Sequence, residues 1–102
     1  MKGVFNFTEV FTVIEKIVLL DDVDQQALLG FNDSNLRPLE SKFNTTLTVR
    51  GDNVKIKGVQ EEVNFVEKVI KEMVFVLNTS GKLSEKDVNT IIDLTNQGRE
   101  IV

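Results

Sequence analysis

A glycine at position 30 and the chain's single proline, at position 38, constrain this fold more than any other feature. Pro38 lacks a backbone N–H and its ring clashes with the preceding helical turn, so it is tolerated only in a helix's first turn. A helix that carries Leu36, Leu39 and Phe43 on one face therefore cannot start much before Ser34. Gly30 ends whatever helix precedes it, because the residue after a helix favours a left-handed backbone that glycine adopts without strain. Two short helices must follow each other, with residues 30–33 as the loop between them. That loop opens onto a fresh helix N-terminus, whose unpaired N–H groups and dipole favour anions.

Residues 45–50 and 53–57 form a hairpin around Gly51-Asp52 as a two-residue turn. That turn sets Val49 opposite Val54 and Leu47 opposite Ile56, with Thr48 facing Lys55 and Thr46 facing Lys57. One face is apolar and the other polar, and a one-residue slip would destroy the sorting.

The remaining segments read from their periodicity. Residues 15–20 predict a buried strand on Ile17-Val18-Leu19-Leu20. Asp21, Asp22 and Asp24 place acids at the start of a short helix over residues 23–29, where the dipole favours them. They lack the glycine and distal glutamate of a calcium loop, so helix-start acids are the preferred reading over a metal site. Val59, Val63, Val66, Ile70, Met73 and Leu77 recur at spacings of four and three, which predicts the core helix over residues 60–77. Val59 is a poor N-cap residue. Residues 78–81 read as a turn. Ser84 and Asp87 form a capping-box pattern, with Leu83 placed to staple Val88. Val88, Ile91, Ile92 and Leu94 make the inner face of a last helix that ends by Gly98.

Residues 1–14 carry two patterns. Phe7, Val10, Phe11 and Ile14 share a helix face, Asn6 and Glu9 match a capping box, and Phe5 can staple Val10. The β-branched Thr8, Val10, Thr12, Val13 and Ile14 favour a strand. The helix spacing is the expectation and the strand stays open. Phe5, Phe7, Phe11 and Val13 exceed what a small core needs, and can cover an open face or meet a partner.

Composition narrows the chemistry. With no Cys and no His, the chain holds no disulfide, no thiolate, no His-ligated zinc and no Ser-His-Asp triad. No carboxylate pair stands out as a general acid and base. The net charge of −4 disfavours strong non-specific nucleic-acid binding. Residues 32–58 nevertheless carry five basic against three acidic side chains, so the loop, short helix and hairpin form the one positive segment. The longest apolar run is Met73 to Leu77, far short of a membrane span, and the N-terminus lacks signal-peptide character. A cytoplasmic protein with no membrane partner is the expectation.

The predicted order, strand-helix-helix-strand-strand-helix, resembles the type I KH fold. The text itself resembles one family more closely, through Leu28-Leu29-Gly30-Phe31-Asn32-Asp33-Ser34-Asn35-Leu36-Arg37, Leu39-Glu40, Arg50-Gly51-Asp52 and Leu83-Ser84-Glu85-Lys86-Asp87-Val88. These stretches are similar to the N-terminal domain of PhoH-like (phosphate starvation-inducible) P-loop ATPases, over about residues 15–95. The resemblance implies an α+β, KH-like domain over residues 15–79, with a three-stranded antiparallel sheet packed on helices. Residues 1–14 would extend it and residues 80–102 would lead to an ATPase domain. ATP and magnesium are expected only in that missing domain, with no cofactor in this chain. The chain is either a fragment of a longer protein or a stand-alone relative, and the fragment is the expectation. Its single Gly-Lys pair, Gly81-Lys82, is followed by Leu83 and has Val76 where a phosphate loop needs its first glycine.

In KH domains a G-x-x-G loop lets backbone N–H groups approach a sugar-phosphate chain. Here Gly30 is kept, Phe31 and Asn32 fill the middle, and Asp33 replaces the second glycine. The candidate nucleic-acid contacts are Gly30, Phe31, Asn32, Asp33, Ser34, Asn35, Arg37 and Arg50; no catalytic or metal residue is assigned. The plainer alternative is a helix-to-helix turn capped by Asp33 or Ser34. Lys55 and Lys57 read better as a solvated face than as a groove wall. Phe31 is the one aromatic placed to stack a base. The leading expectation is a non-catalytic module that holds single-stranded RNA weakly for the ATPase domain. The rival is a degenerate module for homo-oligomer assembly or for docking to that domain, without RNA; a free-standing enzyme ranks last.

Overall fold

A computed structural model describes residues 12–100. The elements run β1 (Val13–Leu19), α1 (Gln25–Leu29), a 3-10 segment (Phe31–Leu36), α2 (Arg37–Lys42), β2 (Thr45–Arg50), β3 (Asn53–Val59), α3 (Gln60–Ser80) and α4 (Glu85–Glu100). The architecture is α+β, with an antiparallel sheet whose strands, among the described residues, run in the order β1-β3-β2. The hairpin register is the one its side-chain parity demands: Val49 pairs with Val54, Leu47 with Ile56, Thr48 with Lys55 and Thr46 with Lys57.

Helices cover one face of this sheet. Ile56 and Val54 on the central strand are fully buried, while Leu47 and Val49 on border strand β2 are half-buried. α3 packs along β1 and β3 and buries Val63, Phe65, Val66, Val69, Ile70, Met73 and Leu77. α4 packs against α3, α2 and the 3-10 segment through Val88, Ile91 and Ile92. Burying an apolar stripe of this width is the main force that holds a helix of each kind in place.

Several expectations change. β1 runs Val13–Leu19 and is buried on one face only, with Ile17 57% and Leu19 62% exposed, because no helix among the described residues covers the sheet's outer side. Val13 and Ile14 lie in that strand, against the helix reading of residues 1–14; the rest of that reading, residues 1–11, lies outside the described residues. α1 starts at Gln25, with Asp24 as its N-cap accepting from the Ala27 N–H at 3.3 Å. β3 extends to Val59. α3 continues through residues 78–80 and stops at Gly81, whose left-handed φ of 84° ends it. The Ser84–Asp87 capping box forms reciprocally, at 2.9 Å and 3.2 Å. α4 continues past Gly98, and Leu94 is 60% exposed because it falls on the helix's outer side.

Candidate functional site

The site is built on the break between α1 and α2. Gly30 closes α1 by donating its N–H to the Gln26 carbonyl at 2.9 Å, with φ 80° and ψ 174°. A Cβ at this position would lie 2.7 Å from Ser34 Oγ and 3.0 Å from Asn35 Cγ. Glycine is thus required both by the left-handed backbone and by the close packing of the segment that follows.

Beyond Gly30 the 3-10 segment is broken by a kink at Asn32 and Asp33, and its second part, residues 34–36, leads into α2, which begins at Arg37 with Pro38 in its first turn. The Asp33 N–H donates to the Gly30 carbonyl at 3.1 Å. Asn32 (φ 54°, ψ 36°) and Asp33 (φ 57°, ψ 30°) are both left-handed. Asn and Asp tolerate this region better than other residues with a Cβ, at a small cost in strain. Neither the 3-10 segment nor α2 has a side-chain N-cap, so neither Asp33 nor Ser34 caps the turn through its side chain. Two consecutive left-handed residues turn the chain outward, and Phe31 is left 86% exposed.

Asn35 sits beneath the loop and behaves unlike its neighbours. It is 2% exposed, and its Nδ2 donates to the Leu28 carbonyl at 2.9 Å and the Leu83 carbonyl at 3.3 Å. With two carbonyls in reach, the amide nitrogen is the end that must face them. The residue binds the loop's base to the end of α1 and to the turn before α4, which gives its amide a structural role in this fold. One sequence signal could have found it: Asn35 stands four residues before Leu39 and so shares its inward face.

An open cleft of about 430 Å³ borders the loop, lined by Gln25, Gln26, Leu29 and residues 30–33. Its walls are amides, apolar atoms and the Asp33 carboxylate, and these lining residues include neither Lys nor Arg. Ser34 is half-buried and Arg37 exposed at the start of α2. Arg50 is exposed at the tip of the hairpin, opposite Asn53. The hairpin turn is tied to the end of β1, where the Leu20 N–H donates to the Asp52 carbonyl at 2.7 Å. Lys55 and Lys57 alternate with the buried Val54 and Ile56, which places them on the sheet face away from the helices. β2 is a border strand, with no partner on its outer side among the described residues.

An ion pair stands apart from the loop. Lys16, at an inward position on β1, reaches Glu67 of α3 at 2.9 Å, and Lys71 approaches the other Glu67 oxygen at 3.4 Å. The hydrogen bond from Lys16 holds the Glu67 carboxyl below its ordinary pKa, against an opposing desolvation effect. Among the described residues, no helix is long and apolar enough to cross a membrane.

No family model matches the chain, and no solved structure matches it. It is similar to a PhoH-like protein of Mycobacterium bovis and to PhoH-like proteins of two Mycobacterium tuberculosis strains, 34% identical over 74 residues in each case. The match takes in 72% of this chain and 21% of each relative, so the chain corresponds to about a fifth of the length of the proteins it is similar to.

Proposed function

We propose that this chain is a non-catalytic, KH-like domain of a PhoH-like protein, and that it holds single-stranded RNA weakly beside an ATP-binding domain in the cytoplasm. One observation carries the reading: Phe31 stands 86% exposed on a strained loop at the edge of a cleft of about 430 Å³. An exposed aromatic costs solvation unless something covers it, and a nucleobase offers a matching flat face. Phe31 stacks one base, Arg37 meets a phosphate, and the border of β2, without a partner strand among the described residues, offers backbone groups to base edges. Asp33 repels the phosphate chain, so affinity is low. ATP and magnesium belong to the parent's ATPase domain and not to these residues.

The test is fluorescence anisotropy of labelled single-stranded oligoribonucleotides in low salt. Binding in the hundreds of micromolar is expected, and Phe31→Ala weakens it by about 1–3 kcal/mol, or roughly five- to 150-fold. Because few phosphates are neutralised, the salt dependence is shallow, with a slope near −0.7 to −1.4 for one or two contacts. Absence of binding at millimolar protein removes the RNA role.

A second reading is favoured by the lack of Lys and Arg along the cleft. A cleft of amides and apolar atoms suits a protein segment, and the loop then docks onto the rest of the parent. In that case Phe31→Ala loosens the association with the ATPase domain and RNA has no effect.

A further inference from the structure

We propose, resting on the RNA reading of this site, that the cleft beside residues 30–33 selects guanine, with the Asp33 carboxylate accepting from the N1–H and N2–H groups of the base that Phe31 stacks. Asp33 is the wrong residue for a phosphate clamp, yet it is held in the loop at a left-handed φ of 57°, next to Asn32 at 54°. Such backbone is strained for a residue with a Cβ, and strain of this kind gathers where ligands are held. Asp33 lines the same cleft as the exposed Phe31 and the two glutamines, Gln25 and Gln26. The residues that line this cleft of about 430 Å³ include neither Lys nor Arg, and the Asp33 carboxylate lies outside the ion pairs of the described residues. An acceptor without a cation beside it repels phosphate and is open to an uncharged donor.

The chemistry of the bases decides which one such a wall holds. An ionised carboxylate accepts hydrogen bonds and donates none. Guanine is the RNA base whose Watson–Crick edge sets two donors side by side, N1–H and the N2 amine, and these match the two carboxylate oxygens. Uracil offers N3–H between two carbonyl oxygens, which a carboxylate repels. Adenine and cytosine each set an amine beside an unprotonated ring nitrogen, which it repels as well. Single-stranded bases are read on these edges, and bonds to a charged acceptor are stronger than neutral ones. Guanine O6 still needs a donor, and Gln25 and Gln26 line the cleft with side chains that carry amide N–H groups. Phe31 supplies the flat face for the ring. A cleft of this size suits a small polar ligand. The residue that weakens the grip on the backbone is therefore the one that reads the base.

Fluorescence anisotropy of the full chain in low salt tests this with labelled uridine pentamers that carry guanosine, adenosine, cytidine, uridine or inosine at the centre. Inosine keeps N1–H and O6 and lacks the N2 amine. The guanosine pentamer is expected to bind at least about five-fold tighter than those with adenosine, cytidine or uridine, and the inosine pentamer to fall between. Asp33→Asn keeps a residue that tolerates the left-handed backbone and replaces the carboxylate by an amide. This variant is expected to lose the guanine preference and to bind the all-uridine pentamer as tightly as before or tighter, because the repulsion of phosphate is relieved. Its circular dichroism spectrum and urea midpoint stay near those of the wild type. Equal binding of all five pentamers leaves RNA binding in place and overturns the guanine assignment. So does a preference that survives Asp33→Asn, or a variant that weakens every pentamer alike. Binding of none of the pentamers at millimolar protein overturns the RNA reading and the guanine assignment together.

Discussion

Replacing Asn35 by alanine removes the side chain that joins three parts of the molecule. The amide lies at 2% exposure and donates to the Leu28 carbonyl at 2.9 Å and the Leu83 carbonyl at 3.3 Å. The shorter bond leaves a buried acceptor unsatisfied, at about 1–3 kcal/mol, and the longer one, near the distance limit, adds less. Losing three buried heavy atoms also opens a small void, for a total cost of about 2–4 kcal/mol. In a domain of this size each kcal/mol lowers the melting temperature by roughly 4–8 °C, so the variant melts about 8–32 °C lower. Urea titration followed by circular dichroism measures the loss directly. Asn35→Leu separates the two contributions, since it refills the volume and leaves the carbonyls unpaired. It should recover only the smaller, cavity part. Asn35→Asp keeps the shape but points a carboxylate oxygen at two carbonyl oxygens, and should be at least as damaging as alanine. A loss below about 1 kcal/mol for both alanine and leucine would refute the assignment of Asn35 as the clamp beneath the loop.

Gly30→Ala introduces a Cβ 2.7 Å from Ser34 Oγ at a φ of 80°. Strain and crowding together cost about 1–3 kcal/mol, read as a lower urea midpoint. Lys16→Met removes the main partner of Glu67 and costs about 0.5–1 kcal/mol at neutral pH, discounted because Lys16 is partly exposed. The sign with pH follows from the lowered Glu67 pKa: its stabilising effect is present above the ordinary carboxyl value and is lost as pH falls through the lower folded value. The difference between wild type and Lys16→Met should therefore shrink on acidification toward pH 3, and a difference that widens would contradict it.

The hairpin was fully legible because parity and turn length act together: only one register puts Leu47 and Val49 over Ile56 and Val54. The loop's position was legible for a different reason, since Gly30 and Pro38 act locally whatever the rest of the chain does. One-sided burial of β1 was hidden, because the run Ile17-Val18-Leu19-Leu20 looks the same whether helices cover one face or two. The start of α2 at Arg37 was also hidden; nothing in Ser34-Asn35-Leu36 marks a 3-10 segment against an α-turn. Residues 78–80 look like a turn by composition, yet α3 holds them because its stop is set by Gly81. Asn35 was grouped with its exposed neighbours because polarity alone does not tell a surface amide from a buried one with two carbonyls to meet.

Whether the residue 30–33 loop is the working surface is tested most directly by amide chemical-shift mapping of the full chain with a short single-stranded RNA in low salt. The account predicts shifts concentrated at residues 30–34 and 37, with smaller ones along β2, and their disappearance in Phe31→Ala. Shifts confined to the outer sheet face around Lys55 and Lys57, or none at millimolar RNA, would contradict it.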